Sequence, residues 1–277
     1  MMTQAGTAPR TVEGELFYSV DTGKVESFHA NDLSLDTVVK EAHVLPITDA
    51  RTLEQAPQLD VNGFELFSMP SAVTDWRDEQ QAGSVHPLEI EAFIKQLTGC
   101  DAVVIAGPPI LRWGERSSEA GTRHNSYAAR LVHSDSYFSA AIEQCSATNP
   151  EPERDWKRCA HYNIWRAFSG PSVDVPLTIC DAQTVRDEDV IEASADFDVD
   201  GKVTWKLPSM NFRFSPRHRW YYFSGMTPEE VLVFKRWDTD KDKARYVPHT
   251  AFTDPTVGPE ATPRASVEMR TICYWYA

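Results

Sequence analysis

The chain has 277 residues, 42% of them hydrophobic and 11% aromatic, a make-up that supports a substantial core and excludes disorder as the default. A formal net charge of −14 excludes a broad nucleic-acid or anionic-membrane surface, so an anionic ligand must be drawn in by local cations. Five cysteines without a C-x-x-C pair give no sign of a zinc ribbon or redox dithiol and fit a reduced, cytoplasmic protein. No apolar run is long enough to span a bilayer, and Met1 to Arg10 lacks the apolar stretch of a secretory signal.

In chain order, Glu15–Val20 reads as a strand and Ser34–Ala42 as a helix. The clearest helix is Pro87–Thr98: Pro87 suits a first helical position, Ile90, Phe93, Ile94 and Leu97 share a face, and Gly99 stops it. Cys100–Ala106 follows as a buried strand, and from there the pattern turns to strands and loops. Gly114–Asn125 is a polar loop, Leu131–Ser139 a strand and Ala147–Lys157 a second loop. Phe197–Trp205 carries a hairpin signal at Asp200-Gly201. Trp220–Phe223 and Val231–Lys235 are strands, joined by Thr227–Glu230 as one capped helical turn, and Ala265–Trp275 is the last strand. The expectation is one domain, mainly β with flanking helices, in which residues 1–100 form a mixed α/β portion packed on a β-rich half at 101–277.

His133 and Asp135 form H-x-D, and on a strand both would face the same way. Such short spacings arise often by chance. Order adds weight, because His249 follows strand-rich sequence and Arg264 and Ser266 come after it as R-x-S. Two imidazoles and one carboxylate can hold ferrous iron by one face, and a guanidinium beside a hydroxyl suits bidentate capture of a carboxylate. Taken singly, His249 reads sooner as a hydrogen-bonded loop histidine, and Arg264 as a surface ion pair. Asp238, Asp240 and Asp242 imitate the start of a calcium loop, but Lys243 and His249 stand where Gly and Glu are needed, which leaves a solvated acidic turn. Cys159, near His161, reads as an inert buried thiol, and Arg217, His218 and Arg219 as local counter-charge rather than a nucleic-acid patch.

The ordered stretches His133-Ser-Asp135-Ser136, Asn163-Ile-Trp165-Arg166, Arg219-Trp-Tyr-Tyr-Phe223, Glu230-Val-Leu-Val-Phe-Lys235, His249-Thr-Ala-Phe252 and Arg264-Ala-Ser-Val-Glu-Met-Arg270 carry a resemblance. Ile47-Thr-Asp-Ala-Arg51, Asn62-Gly-Phe-Glu65 and Trp76-Arg-Asp78 extend it over nearly the whole chain. The chain resembles the fungal and bacterial hydroxylase/desaturase family that includes gibberellin desaturase-like and cephalosporin methoxylase partner-like proteins. It departs from the family pattern at Ala167 and Ala265, neither of them a proposed ligand.

The resemblance implies a double-stranded β-helix (jelly-roll or cupin-like) core. It implies an oxygenase of secondary metabolism that uses Fe(II), 2-oxoglutarate and O2 and releases succinate and CO2. It places iron on His133, Asp135 and His249, and 2-oxoglutarate on Arg264, joined by Ser266 and Arg270. Asn163, Trp165, Arg166, Tyr221 and Tyr222 are candidates for the substrate or co-substrate pocket, with at most one of the two tyrosines pointing inward. The implied partner is a small molecule, a neutral or hydrophobic natural-product intermediate to be hydroxylated, desaturated or cyclised, with neither nucleic acid nor membrane involved. A homo- or hetero-dimer is compatible. The alternative is a non-catalytic or partner-dependent subunit of an oxygenase complex built on the same barrel.

Overall fold

Fifteen short strands and two α-helices carry the regular structure of the described residues. The computed structural model describes residues 8–29, 33–122, 126–171, 173–199 and 202–277. Strands β1 (Thr11–Ser19), β2 (Glu26–His29), β3 (Lys40–Asp49) and β4 (Phe64–Ser68) precede helix α1 (Glu79–Thr98). Strands β5 (Ala102–Ile105), β6 (Ile110–Trp113) and the two-residue β7 (His133–Ser134) lead to helix α2 (Phe138–Ala147). Then come β8 (Trp156–Ala167), β9 (Leu177–Cys180), β10 (Val190–Val199) and β11 (Lys202–Phe212). Strands β12 (Trp220–Tyr222), β13 (Glu230–Asp238), β14 (His249–Ala251) and β15 (Ala265–Tyr276) follow.

The strands assemble into two sheets, a double-stranded β-helix of the mainly β class. One has nine strands in the order β1-β3-β12-β9-β14-β7-β11-β10-β2; the other runs β4-β13-β8-β15-β5, with β6 also on β15. Phe64, Trp165, Leu232 and Phe234 of the smaller sheet meet Leu177 and Ile179 of the larger one in a shared core. Because side chains alternate along a strand, the neighbours of Trp165 face the other way. Tyr162, Ile164, Val231, Val233 and Met269 cover the outside of the smaller sheet and bury Ile90 and Ile94 of α1. Each of those two isoleucines contributes roughly 2 kcal/mol by leaving water.

Helix α1 starts two turns before Pro87. Asp78 is its N-cap, accepting from the backbone N–H of Gln80 and Gln81, and Gly99 ends it in the left-handed conformation at φ 63°. Pro87 lies inside and forfeits one helical bond, which the flanking turns tolerate. The helix expected at Ser34–Ala42 is instead a 3-10 turn, Leu33–Leu35, and the start of β3. Pairing of β3 with β1 and β12 overrides local helical preference there. The strand expected over Leu131–Ser139 shrinks to β7, and α2 takes its end. Thr227–Glu230 is a turn, in which the Thr227 N–H donates to Glu230 Oε2 at 2.9 Å. The loop expected to reach Lys157 gives way to β8 at Trp156. Strands β10 and β11 pair as the hairpin, although its Asp200-Gly201 turn and residues 123–125 of the polar loop lie outside the described residues.

Candidate metal and co-substrate site

The shortest strand holds the densest chemistry. On β7, His133 is paired with His249 of β14 on one side and Asn211 of β11 on the other, so two imidazoles become cross-strand neighbours. Their ring centroids are 4.4 Å apart. Asp135 follows β7 immediately, with Oδ1 3.8 Å from His133 Nε2 and Oδ2 3.9 Å from His249 Nε2. Each ring is oriented from behind: Nδ1 of His133 is 2.8 Å from the carbonyl of Leu131, and Nδ1 of His249 is 3.3 Å from that of Val247. A carbonyl only accepts, so the proton sits on Nδ1 and both Nε2 lone pairs aim at the space beside Asp135.

That tautomer is what a metal ligand needs. Burial, reinforced by His133, pushes the His249 pKa down to about 3, so the ring is neutral at physiological pH. Burial would raise the Asp135 pKa, yet Arg270, His249 and His133 together hold its carboxyl far below the usual range. The set is two imidazoles and one carboxylate, all donors within 4.8 Å of one another. It fits ferrous iron, leaving the opposite coordination positions open.

The smaller sheet supplies the rest of the wall. Asn163 and Arg270 are register partners on β8 and β15. Asn163 Nδ2 donates to Asp135 Oδ2 at 2.6 Å, and Arg270 Nη2 to Oδ1 at 3.1 Å. Arg270 also donates through Nε to Glu268 at 2.9 Å. In this structure, therefore, Arg270 is bonded to the metal-facing carboxylate and to Glu268 rather than standing beside Arg264 as a second free carboxylate contact. Arg264 shares a cavity with His133, Asp135, His249, Trp165 and Glu268. Its Nε donates to Ser266 Oγ at 3.0 Å, and its guanidinium lies over the Trp165 ring at 5.0 Å. Burial first, then Arg112 and Arg130, lower its pKa to about 9, which marks a cation in search of an anion.

The remaining candidates divide by face. Trp165 lines the cavity, and its Nε1 has no hydrogen-bond partner among the described residues. Arg166 points the opposite way, donating to the carbonyls of Met69 and Pro228 and lying 5.5 Å over Trp76. Tyr221 packs on Phe64 in the shared core, 5.9 Å away, whereas Tyr222 meets Phe252 on the other face of β12. Neither tyrosine borders the cavity that holds the histidines and Arg264. Arg112 and Glu268, which line it, have no motif of their own. The alternation Arg264, Ser266, Glu268 is the signal that could have found Glu268; Arg112 arrives by β6 pairing with β15, where it sits opposite Ser266.

A second cluster, Cys145, Cys159 and His161, is fully buried. Arg236 Nη2 lies 3.3 Å from His161 Nδ1, which leaves the proton on Nε2, 3.2 Å from Cys145 Sγ. A ring protonated on that side offers a metal no lone pair. Asp238 is buried, not solvated: Lys235 Nζ sits 2.7 Å from it and Arg158 Nη2 2.6 Å. That ion-paired carboxylate lies in the region read as a calcium-like turn.

Comparison with known proteins agrees with this geometry. The family model described as oxidoreductase/YMDC permease-like domain matches residues 12–274. Hydroxylase/desaturase asaB of Aspergillus flavus is 32% identical over 155 residues, 52% of this chain and 67% of that protein. Hydroxylase/desaturase CTB9 of Cercospora beticola is 27% identical over 254 residues, 85% of this chain and 77% of its own. The Fe(II)/2-oxoglutarate-dependent dioxygenase nvfI of Aspergillus novofumigatus is 27% identical over 246 residues, 84% of this chain and 83% of its own. Among solved structures, the iron and alpha-ketoglutarate-dependent endoperoxidase NvfI superposes with a TM-score of 0.81 at 22% identity, over 96% of this chain and 99% of that one.

Proposed function

We propose a reaction for this chain on the premise that it belongs to the oxidoreductase/YMDC permease-like family, with the hydroxylase/desaturase enzymes. It is an iron(II)- and 2-oxoglutarate-dependent oxygenase that hydroxylates, desaturates or cyclises a small natural-product intermediate. His133, Asp135 and His249 hold the iron; Arg264 and Ser266 hold the distal carboxylate of 2-oxoglutarate. When bound, these partners supply the oxidising chemistry: one O2 and one 2-oxoglutarate are consumed, succinate and CO2 leave, and a substrate C–H bond is oxidised.

The chain's own residues prepare that step. The carbonyls of Leu131 and Val247 fix the imidazole tautomers, and Asn163 and Arg270 fix the carboxylate. Trp165 packs under Arg264 and shields its charge from water, which strengthens its pull on an anion. The observation that carries the reading is the aim of both Nε2 atoms at the space beside Asp135. A scaffold without catalysis has no physical need of such a set, which weighs against the subunit alternative.

We further propose cytoplasmic residence, supported by five buried free thiols, Cys100, Cys145, Cys159, Cys180 and Cys273. No helix among the described residues is long and apolar enough to cross a membrane. The one-domain organisation and a homo- or hetero-dimer are parts of the reading that rest on the sequence and its resemblance.

The test is an anaerobic titration with ferrous iron and then 2-oxoglutarate, followed by the weak visible charge-transfer band of the chelate. The band is expected in the wild type and absent in His133→Ala. In Arg264→Ala it should need at least about a hundredfold more 2-oxoglutarate, in line with the loss of a bidentate charged contact. A folded wild type that gives no band refutes the assignment.

A further inference from the structure

Strand β11 carries Leu207, Ser209 and Asn211 on one face, as positions two apart on a strand must be. All three line a chamber of about 60 Å³ with His133 and Asp135, and Asn211 is the register partner of His133. The chamber touches the Arg264 cavity at Ala129, His133 and Asp135 but borders neither Arg264 nor His249, so a guest in it leaves the co-substrate position free. Phe28, Leu131 and Phe197 give it apolar walls. Phe197 also borders a groove of about 810 Å³ beside Ile110 and Trp205, which has room for the rest of a larger guest.

A buried carboxylate decides what Asn211 offers this space. Glu26 of β2, 1% exposed, is in register with Ala193 of β10, which in turn is in register with Ser209. The small side chain of Ala193 lets Glu26 reach across β10, and Asn211 Nδ2 donates to Glu26 Oε2 at 2.9 Å. A carboxylate accepts, so the amide nitrogen must face Glu26 and the amide oxygen is left for the chamber. Glu26 Oε1 has no partner among the described residues, a cost that packing alone does not require. Ser209 and Asn211 are both buried, and no hydrogen bond among the described residues reaches Ser209 Oγ or Asn211 Oδ1. The chamber thus holds an acceptor of fixed orientation beside a hydroxyl that can donate as well as accept.

Resting on the oxygenase reading, we propose that the substrate is a mainly apolar alcohol whose hydroxyl donates to Asn211 Oδ1 and accepts from the Ser209 hydroxyl. Glu26 is the positioning residue that holds the amide in its accepting orientation. A ketone of the same shape would meet Asn211 acceptor to acceptor and forfeit that bond. The carbons next to the hydroxyl then lie on the His133 side of the chamber.

Borneol and camphor test this, since they share one apolar cage and carry an alcohol and a ketone respectively. Equilibrium dialysis against anaerobic protein loaded with ferrous iron and 2-oxoglutarate should show borneol bound about five- to tenfold tighter, the worth of one neutral hydrogen bond. Asn211→Leu should bring that ratio to about one with little change for camphor, whereas Ser209→Ala should weaken both probes. Glu26→Gln, which frees the Asn211 amide to turn over, should also lower the ratio without lowering the melting temperature, a split that a merely structural role would not give. Equal affinities, tighter camphor or binding of neither probe overturns the proposal. So does a ratio that survives Asn211→Leu, or Glu26→Gln where the leucine variant does not fold. Dialysis repeated on metal-free protein separates this from the oxygenase reading, because the ratio needs no iron and the charge-transfer band does. A ratio without a band refutes the oxygenase and keeps the alcohol site; a band without a ratio does the reverse.

Discussion

Asn163 would act on a bound metal without touching it. Its Nδ2 is 2.6 Å from Asp135 Oδ2, and its own Oδ1 has no partner among the described residues, so it holds the carboxylate by a single directed bond. Asn163→Ala should weaken ferrous binding about 10–100-fold in an anaerobic titration. Unchanged affinity would assign the residue to packing alone. His86 offers a test of burial: it meets Trp76 edge-on at 4.8 Å, and burial pushes its pKa down to about 4. The unfolded chain takes up a proton near pH 6.5 that the folded ring resists, so this stability is present above pH 6.5 and is lost as pH falls toward 4. Denaturant unfolding should lose roughly 1 kcal/mol per pH unit from this group across that window, and His86→Phe should flatten the slope accordingly. The grouping of His133, Asp135 and His249 with Arg264 was legible in the sequence, through order and through the period of two along one strand. Arg112 was not, because its backbone meets Ser266 across a sequence separation of 154, a pairing no local pattern encodes.

Among the elements, the entry to β4 is the least forgiving. Gly63 has φ +87°, and an added Cβ would lie 2.4 Å from Val247 Cγ1, while its carbonyl accepts from the Lys235 N–H at 2.8 Å. Gly63→Ala should cost roughly 2–3 kcal/mol, read as a lower melting temperature. Elements with a clear local signature were readable: β12, β13 and β15 lie where runs of aromatic and aliphatic residues put them. The body of α1 was readable too, but its start was not, since Pro87 looked like a first position and Asp78 is the cap. Strand β8, the carrier of Asn163 and Trp165, went unseen because Lys157, Arg158, His161, Asn163 and Arg166 interrupt its apolar residues. Helix α2 overlaps the expected strand at Phe138 and Ser139 and the expected loop at Ala147, and its middle went unread, because tertiary packing of Ala141 and Cys145 decides it.

At the scale of the whole molecule, the site spans the two sheets: His133 and His249 sit on the larger, Arg264 beside β15 of the smaller. Iron and 2-oxoglutarate together should therefore raise the melting temperature more than either alone, by about 3 kcal/mol of stability at a hundredfold excess over Kd. Additive single effects would place the two ligands apart. The order of the smaller sheet carries a last consequence. Strand β15, which follows every other strand of the described residues, lies inside that sheet between β8 and β5, and also pairs with β6. On the ribosome, β8 must wait with an open edge until this segment emerges, and the arginine that would capture the co-substrate emerges at the same moment. A chain that lacks this segment would thus carry neither a closed smaller sheet nor the proposed co-substrate arginine, so that completion of the fold and competence for oxidation would arrive together.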